Sequence, residues 1–337
     1  MKGRSSLPIM SVALIVLAMC ACGARAEYKY VYEMRVLVEA RYGDSPDKFG
    51  QKDWGDGPMG AICFDIDSAG GVYIYDGPKG DVKVYNREGV YQRTVKALPW
   101  IVGGQMLADM SVGPTGVIYV LVDTYRRDER MRLYRISPDG KEPEQLPFVL
   151  AQGQAMMDGV PIMGSLRITA EMNGDVYVSD LRGGQSMRVV KPGTAITEGD
   201  EPASMRPGRP WKWGLWVVDD SLRTSKSRGI GVYRSDGILK SRLAGVSGSI
   251  CGVDSAGSVY VHMSESRRVS EWKSWMDVLS PRGVLEARIE SSTKIPGSGE
   301  VYGKGMESLI GLDGSVYILR GEDDRVRVYK WERKVVK

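Results

Sequence analysis

A short pattern recurs six times along this 337-residue chain, and it constrains the fold more than any other feature. Each copy is a turn glycine followed by β-branched and aromatic residues, which suit a half-buried, pleated surface. The clear copies start at Gly70, Gly116, Gly174, Gly257 and Gly314, and a weaker copy starts at Gly214. Their starting glycines lie 46, 58, 40, 43 and 57 residues apart.

A second apolar run follows each copy, and several of these runs lead to a polar turn that ends in glycine. Val84 and Tyr85 precede Gly89, and Val232 and Tyr233 precede Gly237 in the same way. Such a pairing indicates a hairpin, and a further short apolar run precedes each copy. Each unit therefore has about four short antiparallel strands, the content of a propeller blade. The prediction is an all-β chain whose residues 27–337 form one six-bladed β-propeller domain.

Closing such a ring requires that the first and last blades be joined, because an open edge strand invites aggregation. Residues 28–38 have the pattern of a strand but no partner of their own in the first unit. We predict that this segment is the outer strand of the last blade, beside residues 325–329.

The chain resembles the NHL-repeat family of six-bladed propellers, as an exported bacterial-type member. The first unit carries the resemblance best, with Gly-Pro-Met-Gly at 57–60, Asp67 at its turn, and Val-Tyr-Ile-Tyr-Asp at 72–76. The last unit keeps Asp-Arg-Val-Arg-Val-Tyr at 324–329. The resemblance implies a fold that serves sensors, scaffolds, lyases and lactonases alike, so it implies no particular site. Propeller lyases rely on more than one histidine, whereas His262 is the single histidine here.

Residues 1–26 resemble an export signal. Lys2 and Arg4 precede an apolar run at 9–18, and Ala-Arg-Ala at 24–26 is a small-x-small cleavage sequence. Cys20 and Cys22 leave open a lipoprotein leader, in which one of them is acylated. We therefore expect a periplasmic or extracellular protein, either secreted or lipid-anchored. No later stretch is long and apolar enough to span a bilayer.

The charge balance argues against a nucleic-acid partner. The formal net charge is +4, but residues 1–26 contain three basic and no acidic side chains, which leaves 43 basic against 42 acidic ones. A nucleic-acid-binding domain usually carries a clear basic excess.

Propeller topology places the turns between the first two and the last two strands of each blade on one face, here called the short-turn face. Middle loops and connections between blades lie on the other, the long-loop face. The spacing assigns four insertions to the long-loop face, at 124–131, 199–213, 219–229 and 262–274. Arginine and tryptophan anchor interfaces and stack on sugars or planar groups. The predicted ligand-binding residues are Arg126, Arg127, Arg209, Trp211, Trp213, Arg267, Arg268 and Trp272. A solvated rim is the alternative.

Four carboxylates on or beside inner strands support an alternative, metal-dependent hydrolase of the lactonase type. Converging carboxylate oxygens in the central channel could bind calcium. The four are Asp65, Asp109, Glu171 and Glu307. They lie five, seven, three and seven residues before their turn glycines, a mismatch that favours ordinary hydrogen bonding. The favoured prediction is a monomeric, non-enzymatic binding or scaffold propeller without a cofactor, whose partner is a protein or a polysaccharide.

Overall fold

The structure is a computed structural model that describes most of the chain after residue 27. The described ranges are 28–53, 58–98, 106–123, 131–147, 156–157, 160–161, 166–180, 185–191, 206–219, 229–234, 236–244, 248–268, 271–290, 308–322 and 324–336. Within these ranges the chain forms strands and turns, and it contains no helix of the length and hydropathy needed to cross a bilayer.

The described ranges contain twenty-eight strands. In order they are β1 (Tyr30–Arg41), β2 (Lys52–Asp53), β3 (Pro58–Met59), β4 (Ala61–Ile66), β5 (Val72–Asp76), β6 (Asp81–Tyr85), β7 (Tyr91–Lys96), β8 (Met106–Val112), β9 (Ile118–Asp123), β10 (Met131–Ile136), β11 (Glu144–Leu146), β12 (Met156–Met157), β13 (Val160–Pro161), β14 (Leu166–Ala170), β15 (Val176–Asp180), β16 (Gln185–Val190), β17 (Arg206–Pro207), β18 (Arg209–Trp211), β19 (Leu215–Asp219), β20 (Gly229–Arg234), β21 (Leu239–Ala244), β22 (Ser249–Val253), β23 (Val259–Arg268), β24 (Glu271–Leu279), β25 (Leu285–Glu290), β26 (Ser308–Ile310), β27 (Val316–Gly321) and β28 (Arg325–Val335).

These strands build six four-stranded antiparallel sheets, which are the blades of a β-propeller. Blade 1 is β4 to β7, blade 2 is β8 to β11, blade 3 is β14 to β17, blade 4 is β18 to β21, and blade 5 is β22 to β25. Blade 6 has the order β26, β27, β28, β1. The pairs β2–β3 and β12–β13 form two small separate sheets. The predicted all-β, six-bladed propeller is confirmed.

The ring is closed by the two ends of the chain, as the sequence predicts. β1 pairs with β28 in antiparallel register from Tyr30 opposite Val335 to Arg41 opposite Arg325. The ends of this terminal strand pair also reach blade 5, because Lys29 contacts Glu286 at 3.0 Å. The first and last described segments are therefore anchored in two blades.

The core lies between neighbouring blades. All five residues of β5 are buried, since a middle strand is covered by the blades on both sides. One apolar cluster joins blades 1 and 2 and includes Tyr75, Val82 and Val120. A second cluster joins blade 6 to blade 1 across the closure and includes Val38 and Val328.

A polar cluster also fastens the terminal strand pair to blade 5. The Arg333 guanidinium lies 2.6 Å from the buried Asp254 carboxylate. The hydroxyls of Tyr32 and Tyr260 lie 3.1 Å apart, and both donate to the Gly314 carbonyl. Burial raises the pKa of Tyr32 to about 12, because the phenolate form would be poorly solvated there.

Gly89 sits where blade 1 meets the closing strand. The β1–β28 register shifts between Val36 and Val38 and leaves Leu37 as a bulge. Gly89 has a φ of 81°, and a Cβ added there would lie 1.7 Å from the Leu37 carbonyl oxygen. Only a glycine permits both this backbone conformation and this approach.

Candidate functional site

The turn between the first two strands of each blade has one common form. A glycine with positive φ donates its N–H to the carbonyl three residues earlier, as from Gly70 to Asp67 at 3.1 Å. In blade 4 the same bond runs from Gly214 to Trp211 at 3.1 Å. The blade 4 turn is therefore at 211–214, on the short-turn face.

This turn corrects part of the predicted ligand-binding set. The spacing predicts Trp211 and Trp213 within an insertion on the long-loop face, and that placement is wrong. The reason is that β17 and β18 are separated only by Gly208, so the inner strand of blade 4 already begins at Arg209. Gly208 has a φ of 97°, and a Cβ there would lie 2.6 Å from the Val217 carbonyl oxygen.

The blade 4 turn reaches across the axis of the ring. The Lys212 ammonium lies 2.5 Å from a carboxylate oxygen of Asp65, on the inner strand of blade 1. In a ring of six, blades 1 and 4 face each other. Trp213 donates its indole N–H to the Ile310 carbonyl of blade 6 at 2.8 Å, and Met172 of blade 3 donates to the Lys212 carbonyl at 3.2 Å. Lys212 and Trp213 together form what we term the axial plug.

Asp65 collects four donors. Its Oδ1 accepts from the Ile66 amide at 2.8 Å, and its Oδ2 accepts from the Ser111 hydroxyl at 3.0 Å and the Val112 amide at 2.6 Å, besides Lys212. The inner strand of a blade is a sheet edge, so part of its amides need partners outside the ladder. Asp65 thus accepts hydrogen bonds from amides on the inner strands of blades 1 and 2 and forms an ion pair with Lys212 of the axial plug.

Asp109 repeats this arrangement one blade further. Its Oδ1 accepts from the Met110 amide at 2.9 Å, and its Oδ2 accepts from the Ile168 amide of blade 3 at 2.8 Å. The Ser111 hydroxyl oxygen also accepts from the Ala170 amide at 3.0 Å. These side chains link the inner strands of blades 1, 2 and 3 around the channel.

The described carboxylates do not fit a calcium site in this arrangement. Asp65 and Asp109 direct their oxygens at amides, a hydroxyl and an ammonium, and Glu171 is buried at the start of the blade 3 turn. Glu307 lies outside the described residues. Across the described ranges no group of three or more histidine, cysteine, aspartate or glutamate side chains is placed to hold a metal ion.

Electrostatics bind the plug to blade 1. Burial lowers the pKa of Lys212, and the nearby Asp65 carboxylate opposes that shift. The Lys212 side chain is only 11% exposed, so its charge has little access to water and is stabilised mainly by Asp65, with a smaller contribution from Asp67. The short-turn end of the channel therefore contains the Lys212 ammonium paired with Asp65.

The remaining predicted residues lie apart from the plug. Arg126 and Arg127 are outside the described residues. Arg209 is on the inner strand of blade 4, with its guanidinium 4.3 Å from the Trp211 ring centre, a cation–π arrangement.

Arg267, Arg268 and Trp272 belong to blade 5. The sequence predicts a loop at 262–274, but β23 and β24 remain paired as far as Arg268 opposite Glu271. The insertion is therefore an extended hairpin, which places Ser266 opposite Trp272. His262 lies within β23, opposite Ser249, and burial lowers its pKa.

The residue spacing did not predict the roles of Lys212 and Ser111, which both bind Asp65 in the channel. The signal was nevertheless present at Lys212, because the blade 4 turn has Trp-Lys-Trp-Gly where blades 1 and 5 have Asp-Ser-Ala-Gly.

No family model matches the chain, and no curated protein matches it. The resemblance to NHL repeats therefore stays a prediction. Solved structures with a similar fold include a protein of unknown function from Bacteroides caccae, at 10% identity and a TM-score of 0.42, covering 70% of this chain and 83% of that one.

Two further similar structures have stated functions. Virginiamycin B lyase from Staphylococcus aureus is 13% identical with a TM-score of 0.39, covering 89% of this chain and 99% of that one. An auxiliary nutrient binding protein from Bacteroides ovatus is 13% identical with a TM-score of 0.40, covering 91% and 78%. At these values the similarities assign no function to this chain.

Proposed function

We propose that this chain is an exported, non-enzymatic binding or scaffold propeller that engages a protein or a polysaccharide through its long-loop face. The observation that carries the proposal is the axial plug. Lys212 binds Asp65 across the channel, and Trp213 binds the backbone of blade 6. A metal-dependent propeller needs carboxylates that converge on an ion, whereas Asp65 and Asp109 are used to join blades.

The long loops supply the binding chemistry in this proposal. The insertions at 124–131, 219–229 and 262–274 contain nine basic against six acidic side chains. Arginine forms paired hydrogen bonds with carboxylate and phosphate groups, and tryptophan stacks on sugar rings. The extended hairpin of β23 and β24 has Arg267, Arg268 and Trp272 near its far end, where Arg268 pairs with Glu271 and Ser266 with Trp272 in the strand register. An acidic polymer is therefore the expected ligand class.

Cross-linking tests which face binds a protein partner. A photoreactive benzoylphenylalanine replaces Arg127 or Arg268 on the long-loop face, and Glu88 on the short-turn face as the control. The folded chain, residues 27–337, is illuminated with an extract of the envelope from which it comes. Adducts from positions 127 and 268, with none from position 88, are expected. Adducts from position 88 alone would contradict the proposal.

Affinity electrophoresis in gels containing polygalacturonate tests an acidic polysaccharide ligand. The double variants Arg126→Ala/Arg127→Ala and Arg267→Ala/Arg268→Ala are expected to bind at least about tenfold more weakly, the effect of removing an interface arginine. The matched control is Arg87→Ala/Arg282→Ala, which removes two arginines from exposed turns of the short-turn face. Equal weakening in all three variants would indicate a general charge effect and exclude a site on the long loops.

A further inference from the structure

Blade 1 contains a lysine that is completely buried. Lys83 lies in the middle of β6, and neither its side chain nor that of Asp76, at the end of β5, has any exposed surface. A buried ammonium is costly unless it is paired and hydrogen-bonded, because it loses the solvation that water provides. The groups around Lys83 therefore decide what this side chain can do.

Two carboxylates share the Lys83 ammonium. The strand register places Asp76 opposite Asp81 and Ile74 opposite Lys83, so the three charged side chains project from the same face of the blade. The Lys83 nitrogen lies 3.4 Å from Asp76 Oδ2 and 3.3 Å from Asp81 Oδ1. Burial raises the pKa of Asp81; Lys83 opposes that shift, and the like charge of Asp76 adds to it. A proton in this group is therefore best held on or near Asp81.

The segment that joins β1 to β2 covers the three charged groups. The Phe49 ring, itself fully buried, has its centre 5.4 Å from the Lys83 nitrogen. The Pro46 carbonyl accepts from the same nitrogen at 2.8 Å, and the Gly50 amide donates to Asp76 Oδ2 at 2.8 Å. The amine and the carboxyl group are thus held beside each other in a site that water barely reaches.

We propose that Lys83 and Asp76 condense to an intramolecular amide, with Asp81 as the group that carries the protons. A proton transfer turns the ammonium and the carboxylate into an amine and a carboxylic acid. The amine attacks Cγ of Asp76, so that an Nζ–Cγ bond forms and a Cγ–O bond breaks. Asp81 takes a proton from the nitrogen and gives one to the departing hydroxyl, which leaves as water. One amine and one acid yield one amide and one water, with no oxidant and no further reactant.

The surroundings fit the amide as well as they fit the ion pair. An amide nitrogen keeps one hydrogen, and the Pro46 carbonyl is placed to accept it. The Asp76 oxygen that remains becomes a carbonyl oxygen, which still accepts from the Gly50 amide. The condensation also removes two buried charges and with them the cost of their desolvation. Fixed positions in a dry site supply the orientation that an amine and an acid lack in water. The bond is independent of any ligand of the long loops.

Peptide mapping of the purified, folded chain tests the proposal. After denaturation, trypsin is expected to leave residues 53–79 joined to residues 80–87, because an acylated lysine is not cleaved. The joined peptide should be about 18 Da lighter than the sum of peptides 53–79 and 80–87, which is the mass of one water. Fragmentation in the mass spectrometer is expected to place the bond between Lys83 and Asp76.

Two variants distinguish the amide from an ordinary ion pair. Lys83→Arg keeps the positive charge but has no primary amine, so residues 53–79 and 80–83 are expected as separate peptides with their sequence masses. Asp81→Asn keeps both reacting groups and removes the proton carrier, so the joined peptide is expected to fall at least about tenfold.

Three results would count against the proposal. Separate peptides 53–79 and 80–83 from the unaltered folded chain would overturn it, because the pair would then remain ionic. A loss of water confined to residues 80–87 would place the bond on Asp81 and overturn the assignment to Asp76. Complete linkage in Asp81→Asn would overturn the role given to Asp81.

Discussion

Replacing Lys212 by methionine isolates the charge of the axial plug. Methionine keeps the length and the apolar stem of the side chain but removes the ammonium that binds Asp65 at 2.5 Å. Asp65 is 5% exposed, so the variant leaves a carboxylate that water barely reaches. The substitution Lys212→Met therefore tests whether the plug is an integral part of the propeller.

The structure sets the expected magnitude. Removing one partner of a buried ion pair usually costs about 3–5 kcal/mol, since the other charge is left unpaired. Asp65 keeps the Ile66 and Val112 amides and the Ser111 hydroxyl as donors, which offset part of that loss. We expect Lys212→Met to lower the free energy of unfolding by about 2–3 kcal/mol.

The double variant Lys212→Met/Asp65→Asn provides the internal comparison. It removes both charges and keeps an oxygen for the amide donors, so it is expected to lose less stability than Lys212→Met alone.

Urea unfolding followed by tryptophan fluorescence measures the unaltered chain and the two variants at pH 7. A loss below about 0.5 kcal/mol in Lys212→Met, the range of ordinary surface substitutions, would refute the argument. A double variant less stable than the single one would refute it too, because the pair would then contribute by something other than its charges.

Three further predictions concern the closure, the buried tyrosine and the channel. Gly89→Ala is expected to lower the free energy of unfolding by about 2–5 kcal/mol, through its positive φ and the conflict with the Leu37 carbonyl. The pKa of Tyr32, raised to about 12 from 10.0, lets the native protein keep a proton that the unfolded chain loses, so stability falls as pH rises from 10 to 12. Tyr32→Phe is expected to remove about 2–3 kcal/mol of that fall. Calcium-equilibrated protein is expected to retain no stoichiometric calcium after dialysis.

Each of these three predictions has a matched comparison. Gly140 has a φ of 75° and open space around its Cβ position, so Gly140→Ala should cost only about 1 kcal/mol in urea unfolding, and an equal loss would deny the Leu37 contact. For Tyr32→Phe the comparison is the unaltered chain over the same pH range, and an equal fall in both between pH 10 and pH 12 would contradict the role given to Tyr32. One bound equivalent of calcium by elemental analysis would restore the hydrolase alternative.

The repeat and the closure could be predicted because they depend on local pattern. The six turn glycines, from Gly70 to Gly314, all have a positive φ, and a β-branched and aromatic strand sequence follows each of them. The pairing of β1 with β28 followed from a strand without a partner and a ring that must close. Both inferences use the sequence near each strand and the topology of the ring.

The role of the carboxylates could not be predicted in the same way. Counting back from the turn glycines places Asp65 and Asp109 at different levels of their blades, and the registers agree, because the irregularities in β4 and β8 come before these two residues. Asp65 lies opposite Tyr73 and Asp109 opposite Leu121, different levels of their blades, but each caps an amide of the next inner strand. That shared role depends on how blades are offset, which spacing does not contain.

The path of the blade 4 turn could not be predicted from residue spacing either. Lys212 and Trp213 lean over the axis, whereas Ser68 and Ala69 at the corresponding positions of blade 1 are exposed. The plug joins blades 1, 3, 4 and 6 at the short-turn end. A substitution at Lys212 or Trp213 is therefore expected to affect the packing of four blades at once, whereas one at Ser68 or Ala69 changes a single exposed turn.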